Sequence, residues 1–217
     1  MVLYRLPIMI FTLSLVYIFI APEEPYSLKL FLKILPMIAI ILYAFRITPK
    51  EKRLVHKFLL IGLVISCIGD VLIQWELIGL TVFFLAQLFY SIGLFSMANF
   101  TKLRMLTYIP ILLYTCLFGT SLIIELQDQH DAALIFPVVA YILIISITLC
   151  AAISTGNKTA MLGAFLFVIS HSFLVWSLFI GSAEDMKAII MLSYYAAQFF
   201  IAVSLHSIVE RKRRIIW

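Results

Sequence analysis

The sequence predicts an all-α, polytopic membrane protein of eight transmembrane helices. Three observations carry that prediction: composition, the spacing of apolar runs and the sorting of charge. The 217 residues are 64% hydrophobic and only 12% charged, against about 45–50% apolar and about 25% charged in a soluble domain. Apolar runs of about 20 residues, long enough to cross a hydrocarbon core, recur at residues 6–22, 27–46, 54–75, 77–98, 106–124, 132–153, 159–180 and 187–209. In lipid, backbone polar groups must be satisfied within helices. One domain of packed helices over residues 1–217 is therefore expected.

Each span is delimited by a short polar break. The first, Leu6 to Ala21, runs into APEEP rather than a small-residue cleavage site, so it reads as a retained helix and not a signal peptide. The second ends at RITPKEKR, and the third meets the fourth in a tight turn at Trp75–Glu76. NFTKLR, ELQDQHD, STGNK and GSAEDMK separate the remaining spans, and the eighth ends at ERKRR.

Charge alternates across these breaks. With both termini cytoplasmic, the inner segments carry Arg5, Arg46, Lys50, Lys52, Arg53, Lys57, Lys102, Arg104, Lys158, Arg211, Lys212, Arg213 and Arg214. The outer segments carry Glu23, Glu24, Glu76, Glu125, Asp128, Asp131, Glu184 and Asp185. This is the positive-inside pattern, and a missed span would scramble it. The net charge of +5 is thus a topology signal and anionic-lipid contact, not a nucleic-acid patch.

The two halves look alike. A shift of 101 residues carries Pro36 onto Pro137, Gly62 onto Gly163, Asp70 onto His171 and Trp75 onto Trp176, and a shift of 111 carries Ala86–Gln87 onto Ala197–Gln198. A 4+4 internal repeat is expected. With four helices per half, its two copies share one orientation.

Asp70, in the run IGLVISCIGDVLIQW, is the one acidic residue inside an apolar span. Such a group costs roughly 2.5–3.5 kcal/mol on insertion scales and marks a functional site by default. Gly62, Ser66, Gly69 and Asp70 share one helix face, and Gly163, Ser170 and His171 repeat the stripe. Counted at 1.5 Å per residue, Lys33, Asp70, Gln87, His171, Tyr194 and Gln198 fall in the outer half of the bilayer.

Alternatives stand beside each. Lys33 either snorkels to headgroups, with Lys29 one turn above it, or faces a site. Gln87 and Gln198 are either interhelical glue or site lining. Trp75 and Trp176 are either interface anchors or substrate walls. Of Tyr194 and Tyr195, one is expected in the core and the other in the interfacial belt.

The cysteines Cys67, Cys116 and Cys150 lie in apolar spans and give neither a disulfide framework nor metal spacing. One Asp and one His are too few ligands for a protein-built metal site. The chain lacks a Walker loop, GxSxG, HExxH and CxxC, so nothing supports a nucleotide-driven, serine-hydrolase or zinc-protease reading. No cofactor is implied.

KILP in the second span, GDVLIQW in the third, LIGLTVFFLAQLFYSIGLF in the fourth and YYAAQFFIAVSL in the eighth resemble the lysoplasmalogenase family of YhhN-like membrane proteins. The resemblance covers residues 30–210. It implies hydrolysis of the vinyl ether bond of lysoplasmalogens, giving a fatty aldehyde and glycerophosphoethanolamine or glycerophosphocholine. The partner implied is a lysophospholipid substrate in the bilayer. The family carries two intramembrane aspartates, in a GD of its third span and an SD of its seventh. The first matches Asp70; the second position is His171. Gln87 stands where the family often has His.

A vinyl ether opens when a general acid protonates its carbon and water attacks the resulting oxocarbenium-like species. Two carboxylates in different environments suit those two steps. The resemblance thus implies Asp70 as acid and His171 as water-orienting partner. Lys33, Gln87, Tyr194 and Gln198 would be substrate-binding residues. The alternative is an impaired member that binds or moves lipid.

Overall fold

The computed structural model describes residues 2–51, 53–128, 132–181 and 183–213. Lys52, Asp131 and Arg214, three of the sorted charges, lie outside the described residues. Those described form nine helices: α1 (Val2–Phe19), α2 (Tyr26–Ile47), α3 (Leu54–Leu72), α4 (Glu76–Phe95), α5 (Lys102–Leu106), α6 (Tyr108–Asp128), α7 (Ala132–Thr155), α8 (Lys158–Phe179) and α9 (Ala183–Arg213). Seven helical stretches are long and apolar enough to cross a membrane, and α1 supplies a shorter apolar stretch over Arg5–Phe19. The chain is an all-α polytopic membrane protein.

Local chemistry sets the ends. α2 stops where the Thr48 hydroxyl and N–H both donate to the Ala44 carbonyl, just before Pro49. At the start of α3 the Arg53 N–H donates to His56 Nδ1 over 2.9 Å. Asn157 Oδ1 caps α8 by accepting the Ala160 N–H at 3.0 Å. Gly156 enters the left-handed region, φ 64°, where the chain turns from α7 to α8.

The fifth span, expected over residues 106–124, is formed by α6, and α5 lies mostly in the break expected before it. The separation of the two helices follows from Pro110, whose ring opposes the carbonyl four residues earlier. That residue is Leu106, where α5 ends. The third span stops earlier than expected, at Leu72, and Ile73 to Trp75 make the turn. A Cβ on Gly79 would stand 2.5 Å from the Ile73 Cα, so glycine lets this turn lie flat on α4.

The packed pairs fall into two sets that the repeat interchanges. α3·α4 mirrors α8·α9, and these are the two most extensive pairs; α2·α3 mirrors α7·α8; α1·α2 mirrors α6·α7; α4·α7 mirrors α9·α2. Small residues permit the closest approaches. A Cβ on Gly62 would meet the Tyr90 ring at 2.4 Å, and one on Gly163 would meet Ile201 at 3.0 Å.

α9 also packs against α1 and α3. It is enclosed on several sides, which corrects the expectation for its tyrosine pair. Tyr194 and Tyr195 are both 3% exposed. Neither is a belt residue, because both sides of α9 that carry them are covered by neighbouring helices.

Candidate functional site

The site is built where α2, α3 and α9 converge. Asp70, in the last turn of α3, is 2% exposed. Its Oδ2 accepts a hydrogen bond from the Tyr194 hydroxyl at 2.7 Å. Lys33 Nζ stands 3.7 Å from Oδ1 and donates to the Asp70 backbone carbonyl at 3.1 Å. Tyr195 in turn donates to the Lys33 carbonyl at 2.8 Å. Lys33 therefore does not snorkel outward: three helices hold it against the carboxylate. Breaking one member of such a buried pair is far more costly than losing a surface pair.

Asp70 and Lys33 lie on a cleft of about 670 Å³, lined also by Tyr17, Glu23, Lys29, Gln74, Lys187 and Met191. Glu23 belongs to the α1–α2 connection and Gln74 to the α3–α4 turn, so the cleft opens at that end of the bundle. Its remaining walls include Leu30, Ile73, Leu174, Leu178 and Ile190. Volume and lining suit an amphipathic ligand.

The other expected residues stand behind this cleft. Tyr194 reaches Asp70 from the α9 side. Gln198, fully buried, accepts from the Tyr90 hydroxyl at 2.7 Å, and Tyr90 lies 3.4 Å from the Ser66 hydroxyl. Gln87 is buried against α7, where Thr148 bonds its backbone carbonyl and also Ser91. Gln87 Oε1 and Gln198 Nε2 have no partner.

His171 is 1% exposed and sits among aromatic rings. Phe167 stacks on it at 5.2 Å, Phe83 meets it edge-on at 5.3 Å, and Tyr194 lies at 6.2 Å. Its Nδ1 is hydrogen-bonded to the Tyr141 hydroxyl, and its Nε2 is unpartnered. No hydrogen bond joins it to Asp70 among the described residues. Both contact the same tyrosine, Asp70 through the hydroxyl and His171 through the ring.

Trp75 is 53% exposed, as an interface anchor would be. Trp176 is half-buried and stacks on Phe118.

Sequence reasoning missed Tyr90, Tyr141 and the role of the cleft rim. At the rim, Glu23 pairs with Lys29 and, at 2.9 Å, with Lys187. Two ammonium groups hold its carboxyl down to about 2. Lys187 also lies 5.6 Å from the centre of the Tyr17 ring, a cation–π arrangement. No group of three or more potential metal ligands occurs among the described residues.

This geometry can be set beside known proteins. The chain is 27% identical to rat lysoplasmalogenase TMEM86B, over 88% of this chain and 79% of the relative. It is 28% identical to the mouse protein of that name, over 86% and 79%, and 30% identical to the human one, over 66% and 61%. No solved structure matches it. Residues 28–205 match the YhhN family, a stretch that takes in both Asp70 and His171, and the chain belongs to that family.

Proposed function

We propose that this chain hydrolyses the vinyl ether bond of lysoplasmalogens within the bilayer. The products are a fatty aldehyde and glycerophosphoethanolamine or glycerophosphocholine. One observation carries the reading. A buried carboxylate, Asp70, stands at the floor of an amphipathic cleft, with Tyr194 fixing one oxygen and Lys33 beside the other. The names of the matched relatives support it.

Asp70 in its acid form donates its proton to the vinyl carbon distal to oxygen. The double bond supplies the electron pair, and positive charge develops at the carbon that bears the ether oxygen. Water adds there and returns a proton to the Asp70 carboxylate. The hemiacetal then collapses to the aldehyde and the glycerol hydroxyl. One water is consumed, and the acid is regenerated. A single carboxylate serves both steps in turn, so a second acid or base at position 171 is unnecessary. General acid–base work of this kind contributes roughly 10²–10⁴-fold.

Tyr194 holds Oδ2 so that Oδ1 faces Lys33 and the cleft, and the Lys33 ammonium stabilises the carboxylate left after proton donation. His171 is a positioning residue on this reading. Its ring backs Tyr194 and Phe83. Gln198 and Gln87 fix the packing of α9 and α4. The cleft mouth faces outside, with both termini cytoplasmic, as the charge sorting favours.

The test is aldehyde release from lysoplasmenylethanolamine by purified protein, alongside Asp70→Asn and His171→Asp. Release by wild type that collapses in Asp70→Asn is the expected result. Release undiminished by Asp70→Asn sinks the site. A second reading, a lipid-binding or lipid-moving protein on the same scaffold, is favoured by the enclosure of His171 where the resemblance calls for aspartate. Silence from wild type with release from His171→Asp identifies that case.

A further inference from the structure

We propose that Lys29 and Lys187 form the site for the phosphate of a zwitterionic lysophospholipid headgroup, with Glu23 as their exchangeable counterion. The inference rests on the lipid substrate proposed above and names how that cleft recognises it.

Three cations and two carboxylates line the cleft. The inner pair, Lys33 and Asp70, is buried and engaged. The outer group is different. Glu23 is exposed in the α1–α2 connection, and its two oxygens are shared between Lys29 and Lys187. It brings one lysine from α2 and one from α9 to a common anion, which is the arrangement a phosphodiester requires. Exposed pairs of this kind are weak, so a phosphodiester monoanion held at the rim by its buried tail can displace the carboxylate.

Length agrees. Lys29 precedes Lys33 by four residues, about 6 Å of helix rise. That matches the three-carbon glycerol span between the phosphate and the ether oxygen of a lysoplasmalogen. Phosphate on Lys29 and Lys187 therefore sets the vinyl ether beside Asp70. The alkenyl tail continues along Leu30, Leu174, Ile190 and Met191. Once displaced, Glu23 is free to pair with the ammonium of ethanolamine or choline. The rim exchanges the two Glu23–lysine pairs for two phosphate–lysine pairs and one carboxylate–ammonium pair.

The experiment measures binding in maltoside micelles with saturated-ether analogues that cannot be hydrolysed. The probes are 1-O-hexadecyl-lysophosphatidylethanolamine, its lysophosphatidic acid counterpart without the amine, 1-O-hexadecylglycerol without phosphate, and inorganic phosphate as competitor. Wild type should bind the ethanolamine lipid at least tenfold more tightly than the alkylglycerol. The double variant Lys29→Gln/Lys187→Gln should erase that preference, and Lys29→Arg/Lys187→Arg should restore it. Glu23→Gln should narrow the gap between the ethanolamine lipid and lysophosphatidic acid.

Equal binding of alkylglycerol by wild type, or a preference that survives the double glutamine variant, overturns the proposal. So does displacement of the lipid by inorganic phosphate at equal concentration, which would mark a free-phosphate site. Failure of aldehyde release leaves these results standing. Release of aldehyde without headgroup preference removes only this proposal.

Discussion

Asp70 and His171 occupy equivalent places in the two halves of the bundle and have opposite surroundings. The shift that carries Asp70 onto His171 carries Gly62 onto Gly163, and the longer shift carries Phe83 onto Tyr194 and Tyr90 onto Ile201. The contacts follow. Asp70 meets Tyr194 and His171 meets Phe83. Gly62 receives Tyr90, and Gly163 receives Ile201. The packing is copied while the polarity is not. Where the first pole has Lys33, Ser66 and Tyr194, the second has Leu134, Phe167 and Phe83. The carboxylate has donors and a cleft beside it; the imidazole sits among rings and is held by one hydrogen bond, with Tyr141. The difference teaches that a repeat can supply a scaffold twice while the chemistry is placed once, where α9 gains its contacts to α1 and α3.

The largest effect should come from charge at the first pole. Asp70→Asn keeps the shape and the Tyr194 contact but removes the acid. Aldehyde release should fall roughly 10²–10⁴-fold, and the apparent Tm should fall as well, because Lys33 is left buried without its counterion. His171→Asn should cost far less. Equal losses at the two positions, measured as kcat/KM, would break the comparison and make the poles one device.

Tyr194→Phe converts the first pole's tyrosine into the residue found at Phe83. It removes one hydrogen bond to a buried carboxylate, worth about 1.5–3 kcal/mol, so kcat/KM should fall about tenfold to about 150-fold. Phe83→Tyr places a hydroxyl near His171 without touching Asp70. It should leave the rate within a fewfold of wild type.

Much of this was legible in the sequence, for physical reasons. Asp70 stood out because a charge in an apolar span has nowhere to hide, and Tyr194 fell at its depth by helical rise alone. Tyr195 was misread, because burial on both faces of α9 depends on which helices surround it. Periodicity within one helix does not carry that. Tyr141, bonded to His171, is one tyrosine in an apolar helix and gave no signal. Glu23 looked like a topology charge, since only folding brings Lys187 to it. The short helix α5 was not expected, because most of its residues fall in the polar break NFTKLR that separates two apolar runs.

Glycine substitution probes the shared packing instead of the polarity. Gly62→Ala drives a Cβ to 2.4 Å from Tyr90, whose hydroxyl is tied to Gln198. Overpacking of this sort costs about 1–3 kcal/mol and should lower the apparent Tm. Gly163→Ala meets its nearest atoms at 3.0 Å. The helix gains up to about 1 kcal/mol from alanine, so its Tm should move less. A larger loss at Gly163 would show that the second half, not the first, bears the tighter interface.

The smallest effect belongs to the rim, and its pH dependence has a definite sign. Lys29 and Lys187 depress the Glu23 carboxyl to about 2 from an ordinary value of 4.5. A group depressed on folding contributes stability above its unfolded value and loses it as pH falls toward the folded one. The Tm difference between wild type and Glu23→Gln should therefore be constant from pH 8 to about pH 5 and shrink below that. Because Glu23 is exposed, salt should reduce the difference at every pH. A difference that is the same at pH 3 as at pH 7 would mean that Glu23 titrates as a free carboxylate. The lysines would then not share it, and the rim would lose its claim to be a preassembled anion site.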